Sequence, residues 1–327
     1  VAKPKKFAID PVALIVTPGD NRNNYLPGNK DSEMGIASTS TPLSPNRDAS
    51  FANLLKHWRN QRGLSQLDLA LAGNVSQRHI SFLESGRANP SRDMVLQLAA
   101  VLDVPLRDQN IMLTAAGFAP IYSQSDLSAP EVEPIRKAIE FILRQQEPYP
   151  ALVMDRYWNL LQSNTSAQRL TNWLIHPDEL QRRFCIDGKI NLMRLMFHPQ
   201  GFKRFVANWE EISSHLIQRV YREAFVDGHS DESMALFQEL EAYPDVPHLW
   251  QQSLPRTWQL PLLTVQFVKD GLSLNLFSTI ATLGTPHDIT LQELRIESLF
   301  PADEATQASL SKPISNVFGH DSMNYPS

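Results

Sequence analysis

The stretch SQLDLALAGNVSQRHISFLESGRANP (Ser65–Pro90) decides how the first half of the chain is read. It holds two short apolar-periodic segments, each opened by a serine and a glutamine, with Gly73-Asn74 between them. A serine hydroxyl at an N-cap accepts from an otherwise unpaired N–H of the first helical turn, so Ser65 and Ser76 are expected to start helices. Gly73 and Asn74 both tolerate the left-handed backbone that ends a helix abruptly. Leu67, Leu69, Ala70 and Leu71 suit a packed helix, while Ile80 and Leu83, three apart, suit the inner face of the next one. Gln77, Arg78, His79 and Phe82 are left pointing elsewhere, near the start of that second helix. Two helices joined by a brief turn, the second opening with amide and guanidinium donors, have the geometry that enters the major groove of DNA.

Residues 51–116 resemble the helix-turn-helix domain of the Xre/Cro family of bacterial and phage repressors. The resemblance rests on RGLSQLDLA (Arg62–Ala70), VSQRHISFLESG (Val75–Gly86) and RANPS (Arg87–Ser91). It implies a mainly α domain over residues 48–118 with five helices, expected at Phe51–Gln61, Gln66–Ala72, Gln77–Ser85, Arg92–Leu102 and Arg107–Ala116. On that reading Gln66 binds a phosphate and braces Gln77, and Gln77 presents its amide to an adenine edge, donating and accepting at once. Arg78 and His79 are the next candidates for base edges or phosphates. Phe82 is set either to touch a thymine methyl or simply to pack, and Ser76 and Ser81 to reach phosphates. Glu84 opposes phosphate in charge, so a structural partnership with Arg87 or a backbone N–H suits it better.

Charge bounds the mode of binding. Residues 51–116 carry seven cations and five anions, a net of +2, while the whole chain stands at −5. Affinity for DNA regardless of sequence should therefore be weak. Modest charge suits a sequence-specific regulator that discriminates by base contacts. One module covers one half-site of a double-stranded operator. A homodimer is expected, with recognition helices about one DNA turn (~34 Å) apart.

At 327 residues the chain is long enough for two domains. Its single cysteine, Cys185, excludes an internal disulfide framework and suits a reducing cytoplasm. No apolar run approaches the ~20 residues that span a bilayer, so no membrane partner is expected. Residues 1–47 are rich in Pro, Asn, Ser, Asp and Gly and read as a disordered extension. The chain begins with valine, and the expectation is a start placed upstream of the natural one, which would lie nearer Met34 or just before Asp48. The competing reading is a basic arm in which Lys3, Lys5 and Lys6 touch DNA.

Residues 119–134 contain Pro120, Pro130 and Pro134 among Ser and Asp, and read as a linker. A helix is expected at Ile135–Gln146, then strands at Ala151–Met154 and Trp158–Ser163, with Asn164 capping a further helix. Phe205, Trp209, Ile212, Leu216 and Val220 step by three and four, which predicts one helix over Phe202–Phe225. That helix turns Trp209 inward and Glu210, Glu211, Arg219 and Arg222 outward. Another helix fits Glu232–Ala242. Leu260–Val268 and Leu272–Thr282 flank Asp270-Gly271, a hairpin signal because both turn positions need positive φ. Asp288–Phe300 supplies a last strand. The result is an α+β domain with an antiparallel sheet crossed by helices on one face, the topology of a PAS-type sensor.

Residues 51 to about 305 resemble MmyB-like transcriptional regulators, in which an Xre module precedes a PAS-like ligand-binding domain. The supporting stretches are PALVMDRYWNLLQSNTSAQRL (Pro150–Leu170), NLMRLMFHPQGFKRFVANWEE (Asn191–Glu211), LEAYPDVPHLW (Leu240–Trp250) and LFSTIATLGTPHDITLQELRIESLFPADEAT (Leu276–Thr306). The ligand-binding domain is expected over residues 135–306, with 307–327 a tail. The resemblance implies a cytoplasmic transcription regulator that senses a small hydrophobic molecule such as a fatty acid. The alternative is a constitutive DNA-binding protein whose second domain only dimerises.

Candidate cavity-lining residues are Trp158, Asn164, Leu195, Met196, Phe205, Trp209 and Phe277, because a fatty-acid site is apolar with a few polar groups at its mouth. A carboxylate head would be held by Arg194, Arg204, His198 or Asn164, arginine being preferred for its planar fork. Enzymatic readings lack chemistry. Cys185 has no neighbouring motif that would lower its pKa. His176, His198, His215, His229, His248, His287 and His320 lack the short spacings of a metal site. No glycine-rich phosphate loop is present. No catalytic residue, metal or cofactor is expected.

Overall fold

The computed structural model describes residues 50–225, 230–243, 246, 263–284 and 286–311. The expectations for residues 1–47, and those for Leu260–Leu262 and most of the 307–327 tail, fall outside these. Five helices begin the described chain: α1 (Phe51–Gln61), α2 (Gln66–Ala72), α3 (Gln77–Glu84), α4 (Arg92–Val101) and α5 (Leu106–Ala115). Ser50, Ser65, Ser76 and Ser91 cap the first four, each accepting from a backbone N–H three residues on. Ser65 and Asp68 complete a reciprocal capping box. Leu55, Leu69, Ile80, Leu83, Leu98, Met112 and Leu113 form the fully buried centre of the bundle.

The turn between α2 and α3 departs from the sequence expectation in one respect. Asn74 alone adopts positive φ, at 47°, while Gly73 sits at −87°. Gly73 is instead required by close approach: a Cβ there would meet Leu69 O at 3.0 Å and Leu98 Cδ2 at 3.1 Å. The glycine lets α4 pack against the turn.

The segment after α5 is pinned at both of its neighbours. The Asn110 side chain accepts from Ile121 N and Tyr122 N and donates to Tyr122 O. Asp288 then accepts from Ser123 Oγ at 2.8 Å and Ser125 N at 3.0 Å. A short 3-10 turn (Pro130–Val132) leads into α6 (Glu133–Gln145).

Strands β1 (Ala151–Met154), β2 (Leu160–Ser163), β5 (Thr264–Lys269), β6 (Leu272–Ala281) and β7 (Arg295–Pro301) make an antiparallel sheet in the order β2-β1-β7-β6-β5. Asp270 and Gly271 turn the β5–β6 hairpin with φ of 50° and 78°. A small ribbon, β3 (Cys185–Ile186) with β4 (Lys189–Ile190), lies among the helices α7 (Thr165–Leu174), α8 (Pro177–Phe184), α9 (Leu192–Phe197), α10 (Trp209–Phe225) and α11 (Asp231–Glu241). Alternation divides the sheet residues between two cores. Ala151, Val153 and Ile296 pack with Ile139 and Leu143 of α6. Met154, Phe267, Leu274, Leu276 and Leu299 join the core formed with α7–α11.

Three elements differ from expectation. The single helix over 202–225 is a 3-10 turn (Phe202–Phe205) followed by α10, because Val206–Asn208 extends to pair with β5. Ala207 N bonds Gln266 O at 2.8 Å and Asn208 Nδ2 bonds Thr264 O at 2.7 Å. The strand expected over Asp288–Phe300 starts only at Arg295. Asp288 accepts from Leu291 N and caps the short helix α12 (Ile289–Glu293). The first tail residues are helical, as part of α13 (Glu304–Leu310), which is capped by Asp303.

Candidate DNA interface and ligand cavity

On α3 the buried positions are Ile80 and Leu83. Gln77 and Arg78 are exposed, and His79, Ser81 and Phe82 are half-buried. Ser76 is occupied as the N-cap, accepting from His79 N at 3.2 Å. The Arg78 guanidinium lies 5.2 Å from the centroid of the Phe82 ring, one helical turn on. Gln66 is tied inward: its Nε2 donates to Glu84 Oε2 at 2.8 Å. Glu84 also accepts from Arg59 Nε at 2.6 Å and Nη2 at 3.0 Å. The partner of Glu84 is therefore Arg59, not Arg87. That pair holds the Arg59 guanidinium above its ordinary pKa, against the effect of burial. One network thereby fastens α1, α2 and α3, which fixes the angle at which α3 is presented.

Between the sheet and helices α7, α9 and α10 lies a cavity of about 640 Å³, within the size range of small-molecule sites. Its floor is Leu152 of β1, Leu276 and Ser278 of β6, Val265 and Phe267 of β5, and Glu297 and Leu299 of β7. Its helical walls include Leu170, Thr171, Leu195, Met196, Ile212, Leu216, Arg219 and Arg222. Burial raises the Glu297 carboxyl above the ordinary glutamate range, against a hydrogen bond from Ser278 and the charge of Arg219.

Trp158 also lines the cavity, from the tight turn between β1 and β2. Its φ of 66° is rare for a bulky residue. The turn is held by Asp155 Oδ1, which accepts from Tyr157 N at 2.8 Å and Asn159 N at 2.9 Å. The indole N–H donates to Glu223 Oε2 at 2.9 Å. The guanidiniums of Arg219 and Arg295 lie 4.7 and 5.2 Å from the Trp158 ring.

Of the ten side chains expected from sequence around a ligand, Trp158, Leu195 and Met196 line the cavity. The others are engaged elsewhere. Asn164 is a buried cap that accepts from Ala151 N and Ala167 N and donates to Leu143 O and Tyr149 O. Arg194 pairs with Glu239 at 2.9 Å, and exposed Arg204 approaches Glu179 at 3.5 Å. His198 stands edge-on to Phe184 and Tyr243; burial and Arg183 hold its imidazole below the usual range. Phe205 lies beneath Lys269, and Trp209 packs edge-on against Phe197. Phe277 stacks on Phe300, because strand alternation gives the cavity Leu276 and Ser278 and turns Phe277 away.

Arg219, expected to face outward, instead lines the cavity with Ile212, His215 and Leu216, while Arg222 is exposed as expected and borders the cavity too. The 3.6-residue period places these five on one stripe, but the break at Val206–Asn208 puts Phe205 out of phase with it. Ser278 and Glu297 carried no distinguishing sequence signal, since a polar residue at alternate strand positions is normally read as solvent-facing.

A cluster of charge joins the two modules, which belong to one compact unit over residues 43–327. Arg107 of α5 grips Glu293 of α12 with Nε–Oε1 2.7 Å and Nη2–Oε2 2.9 Å. Arg156 reaches the same carboxylate at 2.8 Å, and Leu106 N bonds Gln292 Oε1 at 2.7 Å. Burial pushes the neighbouring Asp108 carboxyl up to about 6; Arg156 and Arg107 oppose the rise and Glu293 adds to it.

A five-helix module with a helix-turn-helix, joined to a sheet domain around a ligand-sized cavity, defines a class, the DNA-binding regulator with a ligand-binding domain. Residues 135–312 match the family described as MmyB-like transcription regulator ligand binding domain, and residues 55–109 match Helix-turn-helix. The first match spans more than half of the chain, which belongs to this MmyB-like family. Comparison with curated proteins gives no match. One similar solved structure is titled "Structure of an RNA-binding Light-Oxygen-Voltage Receptor", at 12% identity and a TM-score of 0.25, covering 80% of this chain. This chain spans only 61% of that one, and at such a score the likeness carries no structural weight. Among the described residues no helix is long and apolar enough to cross a membrane.

Proposed function

We propose that this chain is a sequence-specific, cytoplasmic, homodimeric transcription regulator whose cavity takes an amphiphile with an acyl chain, of the fatty-acid class, and whose operator affinity depends on occupancy. The observation that carries this reading is that the cavity wall and the charge cluster are built from the same short segments. Arg156 grips Glu293, and Trp158, two residues on, lines the cavity. Glu293 lies two residues before the start of β7, whose Glu297 and Leu299 form cavity floor. A ligand that moves the Trp158 turn or the start of β7 therefore acts directly on the two groups around Arg107.

A ligand shifts such an equilibrium only by binding one arrangement better than another. The α5 docking is the element that supplies two arrangements, held or released. A dimer follows from half-site geometry, since each chain offers one α3. Small changes in α5 docking then alter the spacing of two recognition helices.

The test is denaturing extraction and native mass spectrometry of the purified full chain. A bound acyl compound approaching one per chain, released on unfolding, is expected. Absence of any such compound, together with no binding when saturated acids are added back, would favour the constitutive reading.

A further inference from the structure

The two long walls of the cavity change character in the same direction. Along α10, Ile212 and Leu216 give way to Arg219 and Arg222; along β7, Leu299 is followed toward the strand start by Glu297. Arg219 and Ser278 both act on the Glu297 carboxyl, so the polar ends of the walls meet.

The charges there are not equivalent. Arg219 is already committed: its Nε lies 3.1 Å from Glu223 Oε1 and its guanidinium covers the Trp158 ring. Arg222, one turn nearer the end of α10, is exposed and has no acidic partner among the described residues. Glu297 is half-buried and faces the cavity. An ionised carboxylate has about four acceptor positions, and even a protonated one keeps acceptor capacity beyond the bond from Ser278.

An anionic head placed against Glu297 would find the neighbouring Arg219 already engaged with Glu223. An ammonium head there would meet the charge of Arg219. An unsubstituted alkyl chain would strip water from a carboxyl group and return no hydrogen bond. A hydroxyl on the chain satisfies Glu297, and a carboxylate head satisfies Arg222.

Resting on the acyl-ligand reading above, we propose that the cavity is built for an oxygenated acyl chain: a carboxylate head at Arg222 and, several bonds along, a hydroxyl that donates to Glu297. Glu297 is then the residue that separates hydroxylated from plain chains. Sites that hydrogen-bond a ligand hydroxyl discriminate strongly against analogues that lack it, because the site's own polar group is left unpaired.

The experiment is calorimetric titration of the delipidated full chain with tetradecanoic acid and with its positional hydroxy isomers. At least one isomer is expected to bind about ten- to a hundredfold tighter than the plain acid. Glu297→Gln should keep most of that preference, since its amide oxygen still accepts. Glu297→Leu should abolish it, by tightening the plain acid and weakening the hydroxy acid; Glu297→Met is the second apolar variant should the first lower the melting temperature. If the plain acid binds at least as tightly as every isomer, or an apolar variant that folds keeps the preference, the assignment of Glu297 is overturned. If no tetradecanoyl compound binds at all, the acyl reading of the cavity fails first, and this inference with it.

Discussion

The polar network under the recognition helix and the polar end of the cavity are built from similar groups and closed differently. Arg59 and Gln66 both donate to Glu84, with the Arg59 and Glu84 side chains 11% and 4% exposed. Glu297 and Arg222 instead end in empty volume. The first arrangement holds a helix at one angle, because one carboxylate accepts from two other helices. The second leaves hydrogen-bonding capacity for a molecule that is not part of the chain.

The sharpest way to break the contrast is Glu84→Ala. Removing one partner of a buried pair strands the other charge, and a loss of about 3 kcal/mol of stability is expected. Thermal melting with denaturant titration checks it; a loss below about 1 kcal/mol would show that the Arg59–Glu84 pair is not formed in solution.

Next comes the surface that this network supports. Gln77→Ala should cost ~1–3 kcal/mol of operator binding, confined to one base position, with an unchanged melting temperature. A binding-selection assay reads the position, and unchanged base preferences would mean that Gln77 does not face a base edge.

Asp108 tests the joint between the modules. Its carboxyl is held protonated up to about 6 in the folded chain, against an ordinary value of 3.8. Its contribution to stability is thus fully present below about 3.8 and lost as pH rises through about 6. Asp108→Asn cannot ionise, so the variant should match the parent near the lower value and exceed it by about 1–2 kcal/mol at neutral pH. Parallel pH–melting curves for the two proteins would remove the buried-joint assignment. The smallest effect is expected at Lys56, exposed on α1: Lys56→Ala should change operator affinity by no more than about 0.5 kcal/mol, evenly across sequences.

The helical module was legible because its signals are local. Caps, the turn and the buried pair Ile80 and Leu83 all fall within one short stretch, and the starts of α2 and α3 were readable from Ser65 and Ser76. Gly73 was read correctly as necessary and for the wrong reason, since its neighbour Leu98 lies on another helix. The cavity was legible in outline only. Trp158, Leu195 and Met196 were named, yet aromatic size pointed equally to Phe277, which strand alternation turns to the other face. Arg219 and Glu297 come from distant elements, α10 and β7, that meet only where the helix packs across the sheet. The guanidinium–carboxylate cluster of Arg107, Glu293 and Arg156 is likewise a product of docking, with nothing in any one segment to announce it.

Coupling between cavity and recognition helix is tested most directly by operator titration of the delipidated full chain, with and without a saturating acyl ligand that calorimetry has shown to bind. Occupancy should change operator affinity roughly 5–150-fold. Glu293→Gln, which weakens the grip on Arg107, should shrink that change while leaving ligand affinity within about twofold of the parent. Equal operator affinity with and without bound ligand would contradict the coupling.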